Sequence, residues 1–286
     1  MKQRGSFNET PEAPLKALIK IGGSLLDDPA SRNDIARQIA DVEASGVSVT
    51  VVHGGGKQMT RFLDERGIQS RFVRGLRVTT EETIDAVLKV LAGSVNTQLT
   101  AALCAAGAKA VGLTGLDAGL AKAEQLDPEL GFVGRVVASD PSVLDALSDA
   151  GFLPVVACVA GGEGAQVFNV NGDSMAVAIA ASWGGVDRLV FLTDVAGVLD
   201  AEKTIIPVLN VEGCQNLMDT GVATGGMQAK LNAAMDAVAG GVQEVRIVKG
   251  SDQAIVKRVF EGEEVGTRIV GEHHDPLFPI MTALMS

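Results

Sequence analysis

The sequence predicts an α/β fold, a three-layer sandwich in which a mainly parallel central sheet is covered by helices on both faces. Three observations support this prediction. Short runs rich in β-branched residues alternate with segments of helical periodicity, as repeated strand–helix–strand units require. The runs are continuously apolar, which is typical of strands buried on both faces. Several of them end in glycine, so the chain can turn tightly where the strands end.

The first elements predict a strand–helix–strand unit. Residues 17–21 are an apolar run that ends at a glycine pair, and they predict the first strand. Ile35, Ile39 and Val42 mark one face of a helix that ends at the next glycine. Residues 47–52 are again apolar, and this second predicted strand runs into three consecutive glycines.

The rest of the first half predicts further helices and short strands. Thr80 precedes two glutamates, so we expect it to cap a long helix that ends at Gly107. Pro141 suits the first position of a later helix. We also expect a helix over 57–66, a hairpin over 71–79, and strands over 110–113 and 132–138, the last being half of a hairpin.

The second half repeats this alternation. Asn210 is placed to cap a short helix. We expect strands over 153–159, 189–193 and 245–248, helices over 173–182, 226–239 and 252–260, and an edge strand over 267–270. Strands that alternate with helices in this way favour a mainly parallel sheet.

Composition excludes several classes of partner. The 286 residues include 24 Lys and Arg against 35 Asp and Glu, a formal charge of −11. This balance argues against nucleic-acid binding, which requires basic side chains to replace phosphate counterions. The aromatic fraction of 3% also offers few stacking surfaces for single strands.

Location and cysteine use point to the cytoplasm. The N-terminus has no apolar signal region, and the longest uncharged stretch, 90–108, contains several polar residues, so we expect neither export nor a membrane span. Cys104, Cys158 and Cys214 are far apart and odd in number, which indicates a reduced compartment. We expect all three to be buried small hydrophobes.

The glycine clusters and a few charged residues suggest an anion site. Open α/β sheets bind ligands where their strands end, and glycine there lets backbone N–H groups approach a phosphate or carboxylate. Lys20 ends an apolar strand, where burial is costly without an anion. Lys230 lies one turn into a helix whose N-terminus can bind an anion. Solvated lysines and, for Asp173, a simple helix cap remain alternatives at this point.

Six segments stand out along the chain, in the order Ile19–Ser24, Val52–Gly56, Gly75–Thr79, Asn169–Asp173, Leu192–Val198 and Thr224–Lys230. They resemble, in this order, segments of the N-acetyl-L-glutamate kinases of the amino acid kinase family. The similarity covers nearly the whole chain, from Leu18 to about Val270. Gly172 departs from it, since alanine is common there, and so do Lys57 and Gln58 after the glycine loop.

This resemblance implies the amino acid kinase fold and phosphoryl transfer from ATP to the side-chain carboxylate of N-acetyl-L-glutamate in arginine biosynthesis. By the resemblance, Lys20 and Lys230 stabilise the transferring group and Asp173 holds both lysines. Substrate binding falls to Arg77, which clamps a carboxylate, and to Asn169 with Gly55 and Gly56. Nucleotide binding falls to Gly22, Gly23, Thr193, Asp194, Gly197, Val222, Thr224 and Gly225. Residues 14–185 then form the acetylglutamate-binding and dimerisation lobe and 186–286 the nucleotide lobe, after a flexible segment 1–13.

The chemistry implied needs no catalytic base. A glutamate side chain has a pKa of about 4.3, so its carboxylate is already an ionised nucleophile at neutral pH. We therefore interpret His53 as a structural ring beneath the glycine loop, and His273 and His274 as solvated. Mg²⁺ is expected to be held mainly by nucleotide phosphates, with no protein residue as metal ligand.

Two alternative functions remain open, and the resemblance also implies an oligomeric state. A kinase for a related acylated amino acid, such as carrier-linked aminoadipate, is the first alternative, and a non-catalytic regulator on the same fold is the second. By resemblance we expect a homodimer. Arginine-inhibited relatives have an additional N-terminal helix and a histidine near the C-terminus, whereas here Pro11 and Pro14 disfavour the helix and 249–253 lacks the histidine. We therefore expect insensitivity to L-arginine.

Overall fold

The computed structural model describes residues 14–271. The predictions for the N-terminal segment 1–13 and for His273 and His274 lie outside the described residues. Within residues 14–271 the strands are β1 (Lys16–Ile21), β2 (Ser48–His53), β3 (Phe72–Val73), β4 (Leu76–Arg77), β5 (Ala110–Thr114), β6 (Ala121–Gln125), β7 (Val133–Ser139), β8 (Leu153–Ala157), β9 (Val159–Gly161), β10 (Val167–Val170), β11 (Arg188–Thr193), β12 (Val208–Asn210), β13 (Glu244–Lys249) and β14 (Thr267–Val270).

Helices flank these strands, and several begin as the sequence predicts. Thr80 caps its helix by accepting a hydrogen bond from the Thr83 N–H, and Asn210 does the same for Gly213. The α-helices over 14–271 are α1 (Pro29–Ala44), α2 (Gly56–Asp64), α3 (Glu81–Val87), α4 (Asn96–Ala105), α5 (Ser142–Asp149), α6 (Gly172–Trp183), α7 (Val211–Asp219), α8 (Gly225–Ala239) and α9 (Ile255–Phe260).

The central sheet has eight strands in the order β12-β14-β13-β11-β1-β2-β8-β5. All neighbouring pairs are parallel except β13 and β14, so the predicted mainly parallel α/β fold is confirmed. In the middle of the sheet, Lys20 of β1 lies opposite Val52 of β2 and Phe191 of β11. The carboxyl ends of β1, β2 and β11 therefore meet at one edge, as ligand sites in such sheets require.

Two apolar layers cover the sheet because side chains alternate along each strand. Leu18 and Phe191 pack in one layer with residues of α6 and α8, while Ile19 and Ile21 pack in the other with residues of α1. By the same alternation Lys20 points to the α6 and α8 side of the sheet. This places a cation where these two helices begin.

A small closed barrel and a hairpin complete the described chain. The barrel contains β10, β7, β6 and β9, and the hairpin pairs β3 with β4 as predicted over 71–79. The sequence predicted β7 as half of a hairpin, and it does pair antiparallel with β6. Strand β6 was not predicted, because its sequence, AKAEQ, is too short and too polar to show an apolar pattern.

Four predictions need correction. Residues 267–270 are not an edge strand, since β12 lies outside β14 and is too short, at three residues, to be recognised. The predicted strand 153–159 is divided at Cys158 into β8 and β9. The predicted helix 252–260 begins only at Ile255. Cys104 is exposed, with its thiol 3.8 Å from the carbonyl oxygen of Ala110 at the start of β5, and Leu103, next to it in sequence, is the buried residue.

The long predicted helix is continuous from Glu81 to Ala105, but its middle, Leu88–Val95, is π-helical. By length and composition this helix could cross a membrane, with a mean hydropathy of 1.2 in its most apolar window. Core helices of water-soluble proteins meet the same criterion, and Leu99 and Leu103 are buried against the sheet layers. The helix is therefore only weak evidence for a membrane span.

Candidate active site

Two lysines share one carboxylate at the edge of the sheet. The Nζ atom of Lys20 lies 2.7 Å from Oδ1 of Asp173, and Nζ of Lys230 lies 3.2 Å from Oδ2. Lys20 is the penultimate residue of β1, Asp173 lies in the first turn of α6, and Lys230 lies in the second turn of α8. Residues that are 153 and 57 positions apart in sequence are thus brought together, as predicted (173 − 20 and 230 − 173).

The cluster of two lysines and one aspartate carries a net positive charge. Burial alone would raise the pKa of Asp173, but the charges of Lys20 and Lys230 outweigh it and hold that pKa below its usual value. The carboxylate is therefore ionised at neutral pH, with two ammonium groups around it. The surplus positive charge and the N-terminus of α6 make this edge a favourable place for an anion.

The two glycine loops lie against each other beside the lysines. A Cβ atom on Gly23 would lie 2.8 Å from the nitrogen of Gly56 and 3.0 Å from Cα of Gly55, so only glycine fits there. Helix α2 begins in this loop and has no side-chain cap, which leaves its first N–H groups for a ligand. The Gly22 N–H instead donates to the Leu192 carbonyl at 3.0 Å, so the prediction that Gly22 offers its amide to a phosphate is not met.

Arg77 lies at the end of β4 and faces the glycine loop. Its Nη2 atom donates to Thr60 Oγ1 at 2.7 Å and to the Gly56 carbonyl at 3.3 Å, and Nη1 donates to Ser70 Oγ. Partial burial lowers the pKa of Arg77, with a smaller opposing effect of Asp64, and the guanidinium remains a cation. Two hydroxyl groups thus orient a planar donor fork toward the same cleft.

The side chain of Asn169 enters this cleft from the small barrel. Its Nδ2 atom donates to Thr79 Oγ1 at 3.1 Å, and Thr79 Oγ1 donates to the Arg77 carbonyl at 3.1 Å. Hence the barrel and the hairpin are linked across the cleft. One continuous cleft is lined by Lys20, Gly23, Gly54, Gly55, Gly56, Arg77, Cys158, Asn169 and Gly172, among others, so the predicted substrate residues do lie together.

A second cleft lies beside α8 and has a mainly apolar lining. It contains three of the residues predicted to bind nucleotide, Gly197, Val222 and Thr224, together with Ala223, which lies within the same predicted stretch 222–225, and Met227, which had no predicted role. Thr193 and Asp194 precede this cleft, and Thr193 Oγ1 is bonded both to Asp194 Oδ1 and to the Val195 N–H, each at 3.1 Å. Gly225 begins α8 between this cleft and Lys230.

His53 and Cys158 form the buried floor of the site. Both are almost fully buried, and Cys158 Sγ donates to the His53 carbonyl at 2.8 Å. Burial lowers the pKa of His53 to about 4, against a smaller opposing effect of its hydrogen bond to Gly54, and burial raises the pKa of the Cys158 thiol to about 12. Both groups are therefore neutral at pH 7. An uncharged His53 suits the structural role that was predicted for it.

Two residues of the site had no signal in the sequence. Thr60 and Ser70 are common surface residue types, and only their positions against Arg77 give them a role. Thr79 ends the resembling segment Gly75–Thr79, but its hydrogen bond with Asn169 was not predicted. Over residues 14–271, no group of three or more His, Cys, Asp or Glu side chains is arranged to hold a metal ion.

Comparison with known proteins shows the family to which the chain is similar. A model of the amino acid kinase family matches residues 16–249. The chain is 58% identical over 90% of its length to the acetylglutamate kinase of Solibacter usitatus, of which 99% is covered. It is 43% identical over 88% of its length to that of Acidobacterium capsulatum, again covering 99%.

Among solved structures, the N-acetylglutamate synthase of Neisseria gonorrhoeae, complexed with coenzyme A and N-acetyl-glutamate, is similar with a TM-score of 0.80 and 25% identity. The match covers 94% of this chain and 64% of that one. The family model and the curated relatives both extend across the two clefts described above. This chain therefore belongs to the amino acid kinase family.

Proposed function

We propose that this protein is an acetylglutamate kinase, which transfers the γ-phosphoryl group of ATP to the side-chain carboxylate of N-acetyl-L-glutamate. The observation that supports it most is the pair of lysines on Asp173, located between a polar cleft with Arg77 and an apolar cleft beside α8. The curated relatives with the same name are similar over nearly their whole length. The product, an acyl phosphate, serves arginine biosynthesis.

The reaction follows from holding two anions in line. An oxygen of the ionised substrate carboxylate attacks the γ-phosphorus, and the bond from that phosphorus to the bridging oxygen breaks as ADP leaves. Lys20 and Lys230 neutralise charge on the transferring group, and Asp173 keeps the two ammonium groups apart and in position. No proton has to be removed, which is consistent with a neutral, buried His53.

Substrate binding is assigned to the polar cleft. We assign to Arg77 the carboxylate that does not react, since its guanidinium fork suits bidentate binding. Asn169 and the backbone of Gly56 hold the remaining polar atoms of the substrate, and the Gly55 N–H is directed to the point where the reacting carboxylate meets the transferring phosphoryl group. The apolar cleft lined by Gly197, Val222 and Thr224 holds the base of ATP. Gly23, Thr193, Asp194 and Gly225 complete the nucleotide site.

Mg²⁺ fits this site only as a companion of the nucleotide. Each oxygen of Asp173 already contacts a lysine ammonium group, so this carboxylate is a poor ligand for a cation. We propose that the phosphates and water hold the ion, which would supply charge neutralisation to the phosphates when bound.

The test is formation of the acyl phosphate. With MgATP and N-acetyl-L-glutamate, hydroxylamine should trap a hydroxamate in an amount that depends on acetylglutamate. Acetylaspartate and acetylaminoadipate, used in parallel, test whether the acceptor has another length.

Lys230→Met should lower kcat by about 100-fold or more and change KM for acetylglutamate little. The matched control is Lys257→Met, at an exposed helical lysine. No acetylglutamate-dependent hydroxamate in the wild type would refute the proposal.

We further propose that the enzyme is an isologous homodimer in the cytoplasm and is insensitive to L-arginine. The helix from Glu81 to Ala105 leaves Leu88 and neighbouring residues exposed in the acetylglutamate-binding half, which supports pairing with a second copy. Light scattering should give twice the chain mass, and millimolar arginine should leave the rate unchanged. A hexamer together with arginine inhibition would contradict this part and leave the catalytic proposal intact.

A further inference from the structure

A buried chain of hydrogen bonds beneath the glycine loop is not used by the reaction as written. The ring of His53 is fully buried at the end of β2, and Asn96 is 6% exposed at the start of α4. The Nε2 atom of His53 lies 3.0 Å from Nδ2 of Asn96. On the other side of the ring, Nδ1 lies 2.9 Å from the carbonyl oxygen of Gly54.

The partners of Asn96 determine where the imidazole proton is. The same Nδ2 atom lies 2.9 Å from the carbonyl oxygen of Val155, which can only accept a hydrogen bond. This atom is therefore the amide nitrogen. Its two N–H bonds are directed to the two nearest acceptors, the Val155 carbonyl and Nε2 of His53, since the Leu113 carbonyl is farther away at 3.4 Å. A neutral ring that accepts at Nε2 carries its proton on Nδ1, so the ring donates to the Gly54 carbonyl.

This hydrogen bond sets the orientation of one peptide unit. In a planar trans peptide, the C=O of Gly54 and the N–H of Gly55 point in opposite directions. Because the Gly54 oxygen is held toward the buried ring, the Gly55 N–H is turned away from it, toward the cleft that Gly54, Gly55 and Gly56 line. Glycine on both sides lets this peptide unit adopt many orientations. The hydrogen bond from His53 therefore selects one of them.

The surrounding elements are shaped to hold Asn96 in place. Asn96 follows immediately after the π-helical segment Leu88–Val95, and such segments are frequent at functional sites. A Cβ atom on Gly112 would lie 2.2 Å from Asn96 Oδ1, so β5 leaves room for the amide. A Cβ atom on Gly55 would lie 2.2 Å from Leu91 Cδ2, so the glycine loop rests directly on the π-helical segment.

We propose that His53, with its proton fixed on Nδ1 by Asn96, is a positioning residue that aims the Gly55 N–H at the transferring phosphoryl group. This inference rests on the proposed kinase function and goes beyond it, because it gives a role to two residues that touch no substrate. The N–H of Gly55 acts where charge develops, and a donor already aimed there requires no rearrangement during the reaction.

The first test needs no activity. The chain has three histidines, and nitrogen NMR distinguishes the two neutral tautomers of each. We expect one histidine, absent from the spectrum of His53→Asn, to be the Nδ1-protonated neutral form at pH 7. The Nε2-protonated form would overturn the proposal, whatever the variants do.

The second test separates positioning from packing. His53→Leu removes the donor, whereas the amide of His53→Asn can still donate to the Gly54 carbonyl. We expect His53→Leu to lower kcat at least about tenfold with KM for both substrates nearly unchanged, and His53→Asn to recover much of the loss. Equal kcat values for His53→Leu and the wild type, or an equal loss in both variants, would overturn it.

Asn96→Ala keeps the test informative if His53→Leu does not fold. It leaves the ring in place but removes the group that selects the tautomer, so we expect a mixed tautomer signal and a reduced kcat. The control is Gln98→Ala, an exposed position on the same helix. A unique Nδ1-protonated ring with normal kcat in Asn96→Ala would contradict the role of Asn96. A wild type with no hydroxamate formation would instead refute the kinase proposal itself.

Discussion

The Nζ atom of Lys20 lies 2.7 Å from Oδ1 of Asp173, and each of these side chains is only 13% exposed. Because Lys230 contacts the other oxygen, this carboxylate stabilises two cations that would otherwise repel each other. Removing one partner of a buried ion pair leaves an uncompensated charge, which is much costlier than losing a surface pair.

We therefore expect Asp173→Asn to lower the free energy of unfolding by about 3 kcal/mol and to reduce kcat strongly. Denaturant titration and the hydroxamate assay measure the two effects. Asp85→Asn removes the exposed pair with Lys89 and should change stability by less than about 0.5 kcal/mol. Similar stabilities for the two variants would contradict the structural role of Asp173.

Arg77→Lys should raise KM for acetylglutamate about tenfold, because a point charge replaces a bidentate fork, with kcat changed far less. The hydroxyl groups of Thr60 and Ser70 orient the fork and would be left without their partner. Arg74→Lys, on the same hairpin and 65% exposed, is the control. An unchanged KM in Arg77→Lys would show that the substrate carboxylate binds elsewhere.

Gly23→Ala tests the contact between the two glycine loops. The added methyl group would lie 2.8 Å from the Gly56 nitrogen, so the loops must separate and the phosphate site should be lost. We expect almost no turnover and a rise in KM for MgATP in any residual activity. Gly93→Ala, whose Cβ has its nearest neighbour at 3.5 Å, should leave both constants unchanged. Normal turnover in Gly23→Ala would mean that this contact is dispensable.

Stability should fall with acidity because of His53. Its pKa is lowered from 6.5 to about 4 in the folded protein, so the unfolded chain binds the extra proton first. The stabilisation is complete above pH 6.5 and is lost as pH falls toward 4, a total of about 3 kcal/mol. Between pH 7 and pH 4.5 the wild type should lose stability more steeply than His53→Asn, in which carboxylates such as Asp173 still contribute a slope. Equal slopes would indicate that His53 is accessible to protons in the native state.

The charged residues of the site could be predicted from the sequence. Lys20, Asp173 and Lys230 each had an ordinary alternative taken alone, and only their occurrence together in the resembling segments indicated a site, where the structure does bring all three together. The bond between His53 and Asn96 was not predictable, because it depends on a π-helical segment that turns Asn96 inward. The Gly22 amide was misjudged because strand pairing with Leu192 extends one residue beyond the apolar run.

The fold shows the same division. Apolar strands followed by glycine were found, whereas β12 and β6 are too short or too polar to show a pattern. Cys104 was expected in the core from the apolar composition of its helix, but a residue next to the buried Leu103 is rotated by about 100° around the axis. Composition indicates that a helix has a buried side, and only packing selects which residues are on it.

The register of β1 has a consequence for synthesis on the ribosome. This strand is translated before both of its neighbours in the sheet, β2 on one side and β11, which begins at Arg188, on the other. Until that later strand has been translated, one side of β1 has unsatisfied backbone groups and can pair with another nascent chain. A gene split after residue 185 should therefore give an N-terminal fragment that aggregates, and co-expression of the second fragment should rescue its solubility.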